Sequence, residues 1–271
     1  MGDTETTGAD GHEAIALRAV RKATARGIED VHDAVAAERW LRIILNGREV
    51  SAVMASPGHE DELGAGFALT QGVVRSRADL LSVGLQPDAE KGDAVRIVIP
   101  LDLSLTVTER LVARGSCGGP VVADDALPVI ERDEPVVSGD KLREMARAMA
   151  RAQEIYRRTG GTHAAGVFAP DGEVVVVRED VSRHNALDKA LGHCLLSGHG
   201  LDDKVVIISG RASREIVANA ARAGVPILAS ISAATDAGVD LAVRARLTLI
   251  SFLRGRRMNV CAHPQRIDLG R

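Results

Sequence analysis

The sequence predicts a mixed α/β protein in which a small N-terminal α+β unit precedes a larger layered α/β unit. Between Arg39 and Met54, two alternating runs flank Asn46-Gly47, the dipeptide that supplies the positive φ of a two-residue hairpin. From Ala164 onward, short apolar runs alternate with helical stretches of about ten residues, the pattern of a layered sheet whose ligands gather at strand ends. A chain of 271 residues, 45% apolar and 26% charged, buries a core without help from disulfides or metals.

Residues 1–36 are polar and then charged, and read as a flexible tail with at most one helical segment. Strands follow over 39–45 and 48–54, and Ser56-Pro57-Gly58 stops the second. Glu60, Asp61 and Glu62 then fill the first turn of a helix that Leu63, Phe67, Leu69 and Val73 carry to about Gly72. Alternation marks strands over 94–99 and 103–107, and residues 113–120 are too rich in Gly and Pro for regular structure. A helix over 142–158 presents Leu142, Met145, Met149 and Ile155 near one face, and the boundary between the units, 37–138 and 139–271, falls just before it. In the second unit, strands are expected over 164–168, 174–178, 204–209, 225–229, 247–252 and 258–261, the first two joined by Pro170-Asp171-Gly172. Helices are expected over 184–196, 213–223 and 236–244; Ser213 caps the second and Gly224 stops it.

Composition removes several function classes. Three Phe, one Tyr and one Trp cannot build stacking platforms for single-stranded nucleic acid, and the net charge of −3 argues against a general grip on polyanions or acidic membranes. No apolar run reaches the length of a membrane-spanning helix. Cys117, Cys194 and Cys261 are odd in number and far apart, which fits reduced thiols in the cytoplasm, and the N-terminus has no signal-peptide pattern. The charge is unevenly placed: residues 241–271 hold seven Arg against one acid, Asp268, which points to one local anion site.

Cys117 lies between Ser116 and Gly118-Gly119, where free backbone N–H groups and Arg114 favour a reachable thiolate; a small residue in a surface loop is the plainer alternative. Cys194 falls within the apolar pattern of a helix and reads as core. His163 ends the Thr159-Gly160-Gly161-Thr162 junction, which either meets a ligand or simply makes a tight turn. The run 178–185, with Arg183, His184 and Asn185, concentrates polar groups where a strand gives way to a helix and suggests a pocket, with Asp188 and Lys189 one turn on. Arg211 and Ser213 sit in a strand-to-helix loop that offers N–H groups and a guanidinium to phosphate. Arg254, Arg256 and Arg257 follow Phe252, pairing anion forks with a ring that packs on a flat group; a charged hairpin turn is the alternative.

These residues resemble the FdhD/NarQ family, accessory sulfurtransferases needed for formate dehydrogenase activity. The match runs from about Trp40 to Ile267 through Asn46-Gly47, Ser56-Pro57-Gly58, Thr159 to Gly166, Arg178-Glu179-Asp180, Arg183 to Lys189, Gly210 to Ser213, Gly224-Val225-Pro226, Arg254-Gly255-Arg256 and His263-Pro264. The resemblance implies a cytidine-deaminase-like C-terminal domain beside a smaller N-terminal α+β domain. It implies a protein that takes persulfide sulfur from a cysteine desulfurase and passes it to the molybdenum bis(molybdopterin guanine dinucleotide) cofactor before insertion into the formate dehydrogenase apoenzyme. The persulfide cysteine falls on Cys117. The cofactor-binding turn falls on Phe252, Leu253, Arg254, Gly255, Arg256 and Arg257, with His163, Arg183, His184, Asn185, Arg211 and Ser213 as further binding residues and GDP or GMP as partial mimics. A homodimer is a further expectation; nucleic acid, membrane and a bound metal are not. The fold implied is that of zinc deaminases, but the chain lacks the His-x-Glu and Cys-x-x-Cys pair such chemistry needs. One departure stands out: the family's loop carries two cysteines, whereas Pro120 occupies the second position here. A single thiol still accepts a persulfide sulfur, so sulfur transfer remains the favoured reading; a cofactor-binding chaperone without sulfur transfer is the alternative.

Overall fold

The computed structural model describes residues 14–88, 90–100 and 127–270, and has the mixed α/β architecture expected. Cys117 with its loop and the strand expected over 103–107 lie outside the described residues.

Residues 15–36 correct the reading of a tail with a helical segment. β1 (Ile15–Thr24) and β2 (Gly27–Ala36) pair antiparallel along their whole length. The reason is cross-strand: Val20 opposes Val31, and Arg21 Nε donates to Asp30 Oδ1 at 2.9 Å.

β3 (Arg39–Leu45) and β4 (Arg48–Ala55) form the expected hairpin, with Asn46 and Gly47 at φ 46° and 83°. α1 (Glu60–Thr70) follows, and then β5 (Ser82–Gln86), which the sequence did not signal, and β6 (Ala94–Val98). They make a four-stranded sheet in the order β4-β3-β6-β5, with β3 and β6 parallel.

β7 (Val137–Ser138) leads into α2 (Gly139–Ala152). The single helix expected over 142–158 is two, because the chain leaves helical geometry at Gln153 before α3 (Glu154–Thr159). The Glu179 carboxylate accepts from the N–H groups of Ile155 and Tyr156 at 2.9 and 2.8 Å, starting a new helix where the old one would have continued.

The larger sheet is built from β8 (His163–Phe168), β9 (Val174–Asp180), β10 (Val205–Ile208), β11 (Ile227–Ser230), β12 (Thr248–Arg254) and β13 (Arg257–Ala262), in the order β13-β12-β11-β10-β8-β9. Its centre, β10-β11-β12, is parallel, linked by α5 (Arg214–Arg222) and α6 (Asp236–Arg244), while α4 (Arg183–Ser197) connects β9 to β10. A short β14 (Ile267–Asp268) pairs with β7.

Alternate residues of the central strands face opposite layers. Val206, Ile208, Leu228 and Leu249 pack with α4, α5 and α6, whereas Val205, Ile207, Ile227 and Ile250 pack on Leu142, Met145 and Met149 of α2. The first of these cores continues through α1 into Leu41, Ile43, Val95 and Ile97 of the smaller sheet. The join is a close crossing of α1 and α4. A Cβ added at Gly66 would lie 1.8 Å from the Asp188 carbonyl oxygen, and one at Gly192 would lie 1.8 Å from that of Glu62. Among the described residues, no helix is long and apolar enough to cross a membrane.

Candidate functional site

The strand directions bring five loops to one edge of the larger sheet. β9, β10, β11 and β12 all end there, and the antiparallel β8 begins there at His163. This is the carboxyl end of the parallel strands, where layered α/β folds place their ligands.

The loops are tied to one another before any ligand arrives. Ser209 Oγ accepts from Ala164 N at 2.9 Å and lies 3.3 Å from His163 Nδ1. Ser230 Oγ donates to the Gly210 carbonyl at 2.7 Å and accepts from Ser232 N at 2.9 Å. Phe252 N donates to the Ser232 carbonyl at 2.8 Å, holding Phe252 at a φ of 53°, a left-handed conformation that a bulky residue seldom adopts. Gly210 is flanked by Arg183 and His163: a Cβ there would lie 3.0 Å from Arg183 Cβ and 3.5 Å from His163 Nδ1. The missing side chain lets the loop settle closely onto both.

Three polar atoms at this edge, Arg183 Nε, His184 Nε2 and Ser213 Oγ, are buried without a hydrogen-bond partner. Ser213 stands at the cap position of α5, yet its hydroxyl makes no capping bond. His184 Nε2 lies 3.2 Å from Glu215 Oε2 without forming a hydrogen bond to it. Burial, and then the neighbouring Arg183 charge, push His163 and His184 below the usual imidazole value, so both rings are neutral at neutral pH. Unpaired buried donors are costly, and here they sit with neutral imidazoles and the Arg183 guanidinium, an arrangement suited to an anion.

The turn from Phe252 to Arg257 adds a second element. Gly255 supplies a φ of 60°, and the guanidinium carbons of Arg254 and Arg257 each lie 5.2 Å from the centre of the Phe252 ring. Arg256 and Arg211 are exposed, while Leu253 faces the other way and is fully buried in the core beside α2.

The remaining polar residues of the 178–189 run point into the fold, not into a pocket. Asp180 is fully buried; its carboxylate accepts from Ser56 N at 3.0 Å and Ser182 N at 2.9 Å and pairs with Lys189 Nζ at 2.8 Å. Lys189 also donates to the Ser56 carbonyl at 2.7 Å. Asn185 is 4% exposed, and its amide donates to the Met54 carbonyl at 2.8 Å and to Asp180 Oδ1 at 3.1 Å. It fixes the start of α4, and so the direction of Arg183 and His184. Arg178 grips Glu62 of α1 through two bonds of 2.5 and 2.7 Å, and His193 adds a third contact at 2.9 Å. The guanidinium and imidazole partners hold the Glu62 carboxyl below its usual value against the opposing effect of burial.

Asp188 is packed beneath α1, where Thr70 Oγ1 donates to it at 2.9 Å. Burial raises its carboxyl to about 7. The native state keeps this proton up to about pH 7, whereas the unfolded chain releases it near 3.8. Between those values the native state binds more protons, so this group's contribution to stability falls as pH rises through the window and is level on either side. Asp188→Asn is accordingly expected to raise the melting temperature at pH 8 by roughly 5–10 °C and to leave it unchanged near pH 4, as followed by calorimetry.

Cys194 is completely buried in α4, and burial pushes its thiol up to about 12, so it stays protonated. Cys261 Sγ lies 3.2 Å from Ser251 Oγ. The sequence reading did not single out Ser209 or Glu215 for the site, since only through-space contacts with His163 and His184 give them a part in it. It had identified Cys194 as core from the helical apolar pattern.

The FdhD/NarQ family model matches residues 36–268, nearly the whole span over which these loops and their supports are built. The chain belongs to the FdhD/NarQ family. Its relatives in that family include the sulfur carrier protein FdhD of Mycobacterium tuberculosis, 36% identical over 94% of this chain and 99% of the relative. The protein of the same name from Streptomyces avermitilis is 37% identical over 88% of this chain and 90% of its own length. A crystal structure of a candidate formate dehydrogenase accessory protein from Desulfotalea psychrophila superposes with a TM-score of 0.76 at 25% identity, covering 94% of this chain and all of the other. The FdhD/NarQ motifs noted in the sequence thus divide by role in this fold. Ser56, Asp180, Asn185 and Lys189 form buried scaffolding, and His163, Arg183, Ser213 and the Phe252 turn share one sheet edge.

Proposed function

We propose that the protein is a cytoplasmic sulfur carrier serving formate dehydrogenase, and that its client is the molybdenum bis(molybdopterin guanine dinucleotide) cofactor. The sulfur-carrier names of relatives that align over most of both chains support the first part. The observation that carries the second is the sheet edge, which holds unpaired Arg183 Nε and Ser213 Oγ and, at the end of β12, a ring flanked by two guanidiniums. A guanine nucleotide arm offers both a flat base and phosphates, which match the Phe252 ring and the arginine forks.

In the loading step, the Cys117 thiolate attacks the outer sulfur of a cysteine desulfurase persulfide. The donor's sulfur–sulfur bond breaks, the donor cysteine leaves as a thiolate, and Cys117 becomes the persulfide. Since Pro120 replaces the second loop cysteine, Cys117 acts without a neighbouring thiol in its loop. That substitution also supports the second reading, a chaperone that binds and delivers the cofactor without carrying sulfur.

Arg254→Ala and Arg257→Ala are each expected to weaken GDP binding roughly tenfold in calorimetry, the loss of about 1.4 kcal/mol of charge-assisted contact. Unchanged affinity in both would place the nucleotide elsewhere. Arg211→Ala, on an exposed side chain of the neighbouring loop, is a useful comparison because it maps how far the phosphates extend.

A further inference from the structure

We propose that Glu215 couples anion binding at the sheet edge to protonation of His184, so that the site takes up one proton from solvent together with its ligand. The proposal rests on the reading of this edge as an anion site. It deepens that reading by naming the ligand class the pair selects, an oxyanion held with a proton.

His184 and Glu215 stand in the first turns of α4 and α5, two helices that begin at this edge. Only 3.2 Å separates His184 Nε2 from Glu215 Oε2, yet the ring nitrogen has no hydrogen-bond partner. Three neighbours face the ring with a charge or a titratable group: Arg183 from its own helix, Glu215 from α5 and His163 from β8. Burial and then Arg183 favour the neutral ring, while Glu215 favours the charged one.

A site built for charge attraction alone has no use for a carboxylate. With the ring neutral, the pair presents the Glu215 charge to an incoming anion and repels it. Once protonated, His184 neutralises that charge, and its imidazolium has two N–H donors where the neutral ring has one. The added donor appears at an edge where Arg183 Nε and Ser213 Oγ also lack partners. An anion held by Arg183 in turn offsets the positive charge that disfavours the proton. Anion and proton therefore strengthen each other by the same factor in both directions. Affinity is highest where His184 is charged, falls as pH rises through the window between the ring's two titration points, and is level on either side.

Calorimetric titration of the full chain with GDP and, separately, with inorganic sulfate from pH 6 to pH 8 tests the coupling. Sulfate keeps its charge across this range, and the ionisation of GDP is common to every protein compared. Wild-type affinity for each anion is expected to fall about tenfold more over the range than that of His184→Gln. For sulfate, the two variants fail at opposite ends. His184→Gln binds at pH 6 as weakly as the wild type at pH 8, whereas Glu215→Gln binds at pH 8 nearly as tightly as the wild type at pH 6. Glu215→Asp, which keeps the charge, is expected to restore the wild-type slope. The two side chains are 31% and 45% exposed, so both variants are expected to fold, and a part in folding alone would shift both ends of the profile equally. A wild-type profile no steeper than that of His184→Gln, or a Glu215→Gln profile as steep as the wild type's, would overturn the proposal. Steep sulfate binding without GDP binding would remove the nucleotide reading and leave the coupling standing. GDP binding with equal slopes in all variants would do the reverse, and binding of neither anion would overturn both.

Discussion

Replacing Lys189 by alanine is expected to cost about 3–5 kcal/mol of folding stability, the usual penalty for leaving a buried charge without its partner. Lys189 is 1% exposed and Asp180 not at all, and their contact of 2.8 Å joins α4 to the end of β9 while both residues hold the Ser56 backbone. Ser56 belongs to the chain leaving the smaller sheet, so the pair secures the two sheets to each other just behind Arg183 and His184. Urea denaturation followed by circular dichroism measures the loss. The double variant Lys189→Met with Asp180→Asn removes both charges and is expected to recover a large part of it, since no ion is then stranded. A single-variant loss below about 1 kcal/mol would show that the pair is not the buried clamp described here.

Gly66→Ala is the second large effect, about 3 kcal/mol, and Gly192→Ala should match it. At both positions the added carbon meets backbone, 1.8 Å from a carbonyl oxygen of the facing helix, so no side chain can turn aside to make room. α1 and α4 must separate, which loosens the core on both sides of the crossing and the Arg178–Glu62 contact with it. Gly84→Ala is the control: on β5, with open space around its missing Cβ, it is expected to leave the unfolding midpoint unchanged within about 0.5 kcal/mol. Equal losses at Gly66 and Gly84 would rule out the close crossing as the cause.

What the sequence made legible was local. Asn46-Gly47 announces its own hairpin through backbone conformation, and the apolar runs of β10, β11 and β12 need no partner to be recognised. The hairpin of β1 and β2 was missed because its strands are charged and stay largely exposed, so the residues carry no signature of a half-buried strand, and the pairing of Val20 with Val31 is visible only in the register. The break at Gln153 was missed because its cause, Glu179, lies on another strand. The same rule applies at the sheet edge. Residue type proposed His163, Arg183 and Ser213, and the loop junctions already suggested where they sit. It proposed Asn185 too, whose amide turns inward to Met54 and Asp180, and it offered no sign that Ser209 and Glu215 stand beside the two histidines. A polar side chain's role depends on what it meets through space, and only the fold supplies that.

Proposed sulfur carriage by Cys117, despite Pro120, is tested most directly by intact-mass analysis after incubation with a cysteine desulfurase and cysteine. The expected result is that the wild-type chain gains the mass of one sulfur atom, that a thiol reductant removes it, and that Cys117→Ser gains none. A wild-type chain that gains no sulfur, or a Cys117→Ser variant that gains as much, would contradict the claim and favour a protein that binds the cofactor without carrying sulfur.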